Sequence, residues 1–325
     1  MPLLTLADIK PLSQDKLTQF VIDEFRRSPL LDMLGFENTV KPQGGNTFTY
    51  TYNRVTTRPQ AAGRAINTEY DRTVAKTTPI SVMLKIFGGR FPLDRALASV
   101  ETGQVVDNVT FQMQQQIAAA VRLFNDWVIN GDSTADPLSF DGVDKLASGS
   151  GAEFDLSGLD LSSASAVESN WKAFLYALRK QKELMPDAPN VYLVSSTMYA
   201  VFQSIADRAV GFQEIRSTMG NELIQWGNAS IIKMGDRSGL STPIIATETD
   251  GTTSIYPLFL GDTGLHGVTP DGTAGFNTIL PDFSRAGAVQ DGEVEMIAAI
   301  AAKTTRCVGA IRNIKVEPAA VVPEP

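Results

Sequence analysis

Between residues 46 and 55 the chain alternates aromatic and polar side chains. Phe48, Tyr50 and Tyr52 fall on one side, and Thr47, Thr49 and Thr51 on the other. A period of two predicts a β-strand with one apolar face. A second alternating run, 79–87, sets Ile80, Val82, Leu84 and Ile86 against Ser81, Met83 and Lys85. The two runs read as a long antiparallel ribbon. Their polar connection, 56–78, contains Gly63 and several charges, and Gly44-Gly45 and Gly88-Gly89 flank the pair as candidate hinges. A two-stranded ribbon is marginal alone in water, so it must rest either on its own domain's sheet or on a neighbouring subunit.

Elsewhere the period lengthens to that of a helix. Leu17, Phe20, Val21 and Phe25 recur at three- and four-residue spacing over 14–27, with Ser13 as a cap and Ser28-Pro29 as a stop. The longest element is predicted at 103–130, where Val105, Val109, Met113, Ile117, Val121, Phe124 and Val128 form one stripe. At 1.5 Å per residue such a helix is about 40 Å long. Thr102 suits its N-cap and Gly131 its C-terminal stop. Residues 132–158 are rich in Asp, Ser and Gly and read as loops with short structured pieces. A capping box, Ser165 to Glu168, then opens a helix that directs Val167, Trp171, Phe174, Leu175 and Leu178 inward and ends before Pro186.

A strand at 190–194 leads into a short helix through Ile205, capped by Ser195 or Ser196. Further strands are predicted at 229–234, 243–247, 293–302 and 306–316. Mixed short elements of this kind make an α+β body, not a regular βαβ repeat. No repeat of 20–50 residues is evident.

Composition narrows the function. With 325 residues and 43% hydrophobic content the chain can bury a large core in one domain or two joined ones. The first eleven residues include Asp8 and Lys10 and lack the apolar run of a secretory signal, so the chain is expected to start here. The apolar run 296–302 is too short to span a bilayer. One cysteine, Cys307, fits a reducing compartment and reads as a buried structural thiol. Net charge is −8, the wrong sign for gripping nucleic acid through its phosphates.

Familiar catalytic chemistry is missing. The only histidine, His266, sits in Gly264-Leu265-His266-Gly267, which reads as a solvated turn. Triads and histidine-rich metal sites therefore lack their imidazoles, and a site from Asp262, His266 and Asp271 is disfavoured against that turn. No phosphate-cradling glycine loop is present. No cofactor, metal or catalytic residue is assigned, although scattered carboxylates leave a soluble enzyme as an alternative of another class. The stripe of Phe48, Tyr50 and Tyr52 lacks interleaved cations and reads as a packing surface, not a base-stacking platform.

The order of these parts resembles the major capsid proteins of tailed bacteriophages, the Hong Kong 97-like family. Particular stretches carry the likeness. Val128-Ile129-Asn130-Gly131-Asp132 followed by Phe140-Asp141-Gly142-Val143 is similar to that family's turn out of its spine helix. The run from Pro189 to Tyr199 is similar to its strand-then-helix passage into the axial domain, and Phe259-Leu260-Gly261-Asp262 to a later Gly-Asp step. The resemblance implies an N-terminal arm (1–40), an extended β-ribbon loop (41–90) and a peripheral domain (91–185) with spine helix 103–130. It further implies an axial domain (186–289), peripheral return strands (290–317) and a tail (318–325).

By that resemblance the protein is a structural, non-enzymatic subunit of an icosahedral phage head around double-stranded DNA, found in the virion and assembled in the bacterial cytoplasm. Its partners would be copies of itself, a separate scaffolding protein, a portal and a possible cement protein, with DNA held without sequence specificity and no membrane. The expected intersubunit residues are Leu17, Phe20, Phe25, Phe48, Tyr50, Tyr52, Arg54, Arg64, Glu69 and Lys76. Some members crosslink a loop lysine to an asparagine. Lys76 lies in the ribbon connection, but no acceptor or promoting glutamate matches by motif. The nearest alternative is an encapsulin-type bacterial nanocompartment, which shares the fold.

Overall fold

The alternating and helical stretches organise two sheets and a separate ribbon. The computed structural model describes residues 30–40, 47–98, 108–209, 211–216, 222–272 and 275–318. The predicted helix at 14–27 with Leu17, Phe20 and Phe25, the Gly44-Gly45 pair, the start of the long helix with Thr102, and residues 319–325 lie outside the described residues.

In chain order the helices are α1 (Leu30–Met33), α2 (Arg95–Ala98), α3 (Asn108–Asn130), α4 (Val143–Ala147), α5 (Ala164–Lys182) and α6 (Ser196–Ala206). The strands are β1 (Phe36–Asn38), β2 (Thr49–Thr57), β3 (Lys76–Met83), β4 (Lys85–Asp94), β5 (Glu153–Asp155), β6 (Val191–Val194) and β7 (Phe212–Arg216). They continue with β8 (Glu222–Trp226), β9 (Ala229–Lys233), β10 (Thr252–Leu258), β11 (Leu265–Thr269), β12 (Asn277–Ile279), β13 (Val289–Ala302) and β14 (Ala310–Lys315).

The first sheet is built on β13. It pairs antiparallel with β4 from Val289↔Asp94 to Ala298↔Lys85, and also with β11 and β12, while β1 adds parallel to β11. The spine helix α3 packs against β4 and β13. Its apolar stripe buries Phe124 and Val128 among Phe87, Phe140 and Met296. The Phe124 ring stacks on Phe87 at 5.7 Å, and Trp127 meets Phe140 edge-on at 5.8 Å. The helix ends before Gly131, and only a glycine fits there: an added Cβ would lie 2.2 Å from the Phe140 carbonyl oxygen.

The second sheet has the order β5-β14-β10-β6-β9-β8-β7. β6 and β9 are parallel, and all four residues of β6 are buried, as expected for a strand covered on both faces. α5 and α6 cover it through Phe174, Leu178, Met198 and Phe202. Ser195 caps α6, its hydroxyl accepting from the Met198 amide at 3.2 Å. α5 is capped by Ser163, which accepts from the Ala166 amide, and not by Ser165. Glu168, the expected box partner, instead pairs with Arg208 at 2.9 Å.

Several expectations change here. The predicted strand 79–87 is two strands, broken at buried Leu84, whose amide donates to the Phe48 carbonyl. The inward face switches at this break, so Ile86 is exposed while Phe87 is buried. Gly88-Gly89 is no hinge. Both residues lie in the β4–β13 ladder, where a Cβ on Gly88 would come within 1.9 Å of the Val294 carbonyl oxygen and one on Gly89 within 1.7 Å of the Gln116 side chain. They permit close approach of strand to strand and strand to helix. Residues 243–247 form no strand beyond the single Asp236↔Pro243 bridge.

His266 is not in a turn: it is 1% exposed in β11, opposite Ala301. The strands of 290–317 divide between the sheets, with β13 in the first and β14 in the second. β5 and α5 likewise serve the second sheet and core, whereas β11 and β12 join the first.

Candidate functional site

β2 and β3 form a two-stranded antiparallel sheet of their own, paired from Thr49↔Met83 to Thr57↔Lys76 with a register shift between Val55 and Thr57. The alternation 48–52 works as read at Tyr50 and Tyr52, which are half-buried while their threonine neighbours are exposed. Their phenols reach the subunit's own body. The Tyr52 hydroxyl donates to the Ala302 carbonyl at 2.7 Å, and the Arg54 guanidinium donates to the same carbonyl at 2.5 Å and to that of Lys303 at 3.1 Å. The end of β13 is thereby capped by the ribbon base. A cavity of about 370 Å³ remains beneath it, lined by Tyr52, Arg54, Val82, Phe140 and Ile300 among others.

Beside this contact sits a charged cluster. The Tyr50 hydroxyl and the Lys303 ammonium each donate to the Glu37 carboxylate at 2.5 Å. His266 lies behind, with Nε2 3.7 Å from Glu37 and its ring edge-on to Tyr50 at 5.6 Å. Burial works against Glu37 ionising, yet Lys303, Tyr50 and His266 together hold its carboxyl below the usual range. Burial and then the bond to Glu37 push the Tyr50 phenol up, so it stays a donor. Burial pushes His266 down despite the nearby carboxylate, so it is neutral at pH 7.

Away from the body the ribbon is bare. Val55, Ile66, Tyr70 and Val74 are between 54% and 89% exposed. Arg64 folds over the Tyr70 ring at 5.4 Å and donates to the Thr68 carbonyl at 3.2 Å. Glu69 and Lys76 are exposed, as is much of Phe48. Of the ten residues expected at subunit contacts, Tyr50, Tyr52 and Arg54 thus already have partners within the chain. Phe48, Arg64, Glu69 and Lys76 face outward on the ribbon, and Leu17, Phe20 and Phe25 lie outside the described residues.

Sequence reasoning singled out the tyrosines and Arg54 as intersubunit residues and did not connect them with Glu37, His266 and Lys303. Those three come from β1, β11 and the turn after β13, and no local spacing joins them.

Among the described residues no three His, Cys, Asp or Glu side chains gather as metal ligands, and no helix is long and apolar enough to cross a membrane. Cys307 is buried, its thiol donating to the Thr304 carbonyl at 2.9 Å and pushed up by burial.

No protein-family model and no curated protein matches the chain. Solved structures do. An encapsulin, from the holo-SrpI encapsulin complex of Synechococcus elongatus PCC 7942, superposes with a TM-score of 0.63 at 13% identity over 100% of both chains. A chain of Mycobacterium phage Bobi matches with a TM-score of 0.58 at 10% identity, over 95% of this chain and 98% of that one. The capsid of Myoviridae phage XM1 gives 0.57 at 9% identity, over 96% and 99%. With a spine helix on a β13-centred sheet, a second sheet with its own helices and a projecting ribbon, this chain has the Hong Kong 97-like fold.

Proposed function

We propose that the chain is a shell subunit that assembles with copies of itself into a closed particle, and that the particle is an icosahedral phage head around double-stranded DNA. The observation that carries this is the ribbon. Its base is anchored on the body, while residues 55–75 carry exposed apolar side chains away from it. Laid over a neighbouring subunit, Val55, Ile66, Tyr70 and Val74 would be covered, and Arg64, Glu69 and Lys76 would meet the neighbour's polar groups at the rim. Many modest contacts of this kind cooperate in a closed symmetric lattice.

On this reading the ribbon of β2, β3 and their connection is the extended loop, the β13-centred sheet and α3 the peripheral domain, and the sheet around β6 the axial domain. The chain acts without catalysis. A separate scaffolding protein and a portal would assist assembly in the host cytoplasm, and a cement protein is a further possible partner.

A second reading has a specific observation behind it: the encapsulin structure spans the full length of both chains with a TM-score of 0.63. In that case the particle is a bacterial compartment enclosing protein. Electron microscopy of particles purified from the native source, with their nucleic-acid and protein content, separates the two. Closed shells holding nuclease-protected DNA are expected for the phage head. Shells holding a stoichiometric second protein and no DNA would give the compartment, and the absence of shells would overturn both.

A further inference from the structure

The first sheet has one covered face and one open face. On the covered side α3 packs against β4 and β13, and Phe87, Phe91, Val294 and Met296 are buried. On the open side the ladder sets Ile86 beside Ile297, Gly88 beside Glu295 and Arg90 beside Glu293. Asn277 and Ile279 of β12 lie next to the same two glutamates. Ile86, Ile279 and the following Leu280 are each more than half exposed. Arg90 pairs with Asp291 at 3.3 Å, whereas Glu293 and Glu295 take part in no ion pair among the described residues.

The chain's own ribbon does not cover this face. Its base is anchored at Ala302 and Lys303. Ala302 is nine residues along β13 from Glu293, a distance of about 30 Å in an extended strand. The ribbon tip and Glu293 are both exposed within one copy. The tip also has the opposite charge. Arg58, Arg64, Arg72 and Lys76 outnumber Glu69 and Asp71 there, in a chain whose net charge is −8. None of those four cations takes part in an ion pair among the described residues, and exposed Ile66, Tyr70 and Val74 lie between them.

Resting on the shell reading above, we propose that the open face of β4, β13 and β12 is where the ribbon tip of a second copy docks. Apolar side chains of the tip cover Ile86, Ile279 and Leu280, and its arginines meet Glu293 and Glu295. A solvent-exposed ion pair adds little affinity by itself. The charges therefore select the surface and the register, while apolar burial and repetition around a closed lattice hold the contact.

The test uses the full chain with charges reversed on one side or the other. Glu293→Lys/Glu295→Lys reverses the face, and Arg64→Glu/Arg72→Glu reverses the tip. All four side chains reach solvent, so both double variants should unfold within a few degrees of the parent. In sedimentation velocity each should need a subunit concentration at least about tenfold above the parent's to form particles, because like charges then face each other. Mixed in equal amounts, the two variants should associate at concentrations where neither does alone. A chain carrying all four changes should assemble within about threefold of the parent's concentration. Particle formation unchanged in either double variant would overturn the proposal. So would a fourfold variant no better than the doubles, or a mixture that stays dissociated, since the contact would then not join two copies through these charges. A parent chain that forms no particles overturns the shell reading itself, and this inference with it.

Discussion

Glu37 joins three segments that are far apart in the chain: the ribbon through Tyr50, the turn after β13 through Lys303, and β11 through His266. The Glu37 and Lys303 side chains are each 29% exposed, so solvent only partly screens their pair. Glu37→Gln removes the charge and leaves Lys303 without its partner. We expect a loss of about 1–3 kcal/mol in denaturant unfolding, and a smaller loss, about 1 kcal/mol, for Tyr50→Phe.

The same cluster sets a pH dependence. His266 is depressed below its ordinary 6.5, so between the folded and unfolded values the unfolded chain binds more protons, and stability falls as pH drops below about 6.5. Glu37 is depressed below its ordinary 4.5, and its contribution is lost in turn at lower pH. Asp262 and Lys303 also face His266 and act in opposite senses on it. The unfolding temperature of the parent chain should therefore decline between pH 7.5 and 5.5. His266→Phe should flatten that decline; an unchanged slope would place the titrating group elsewhere.

At the scale of elements, close approach between β4, β13 and α3 matters more than any single contact. Gly88→Ala and Gly89→Ala both intrude on that packing, but differently. At Gly88 the obstacle is backbone, so we expect a loss above about 2 kcal/mol. At Gly89 the obstacle is the flexible Gln116 side chain, so the loss should be smaller. Gly63→Ala in the ribbon connection, with nothing within 4 Å, serves as the neutral control. Thermal unfolding of the three variants checks the order.

These glycines also mark the limit of what the sequence discloses. A glycine pair at the end of an alternating run reads equally well as hinge or as contact, and only the partner strand decides. Tyr50 and Tyr52 were legible because alternation is local, as were α5, α6 and β6, whose apolar patterns each lie within one stretch, although the cap of α5 falls at Ser163 and not in the expected box. The division of 290–317 between two sheets was not legible, because β14 pairs with β10 and β5 across the chain. His266 was misread for a related reason. Flanking glycines suggest a turn, yet Gly267 is there because the Phe36 ring lies where its Cβ would be, 2.4 Å away.

At the scale of the molecule, folding and assembly should separate. The ribbon tip beyond Thr57 and Lys76 touches solvent, while the anchors at Tyr52 and Arg54 lie on its base. Replacing residues 58–75 by an Asn-Gly turn closes the ribbon at the Thr57↔Lys76 pair. The shortened subunit should unfold within a few degrees of the parent, yet fail to form particles. Whether the exposed ribbon serves contacts between copies is decided by sedimentation velocity of the chain over a range of concentration and ionic strength. It is expected to form a discrete, closed species of many subunits that the ribbon-shortened chain does not form. A stable monomer or dimer under every condition would contradict it.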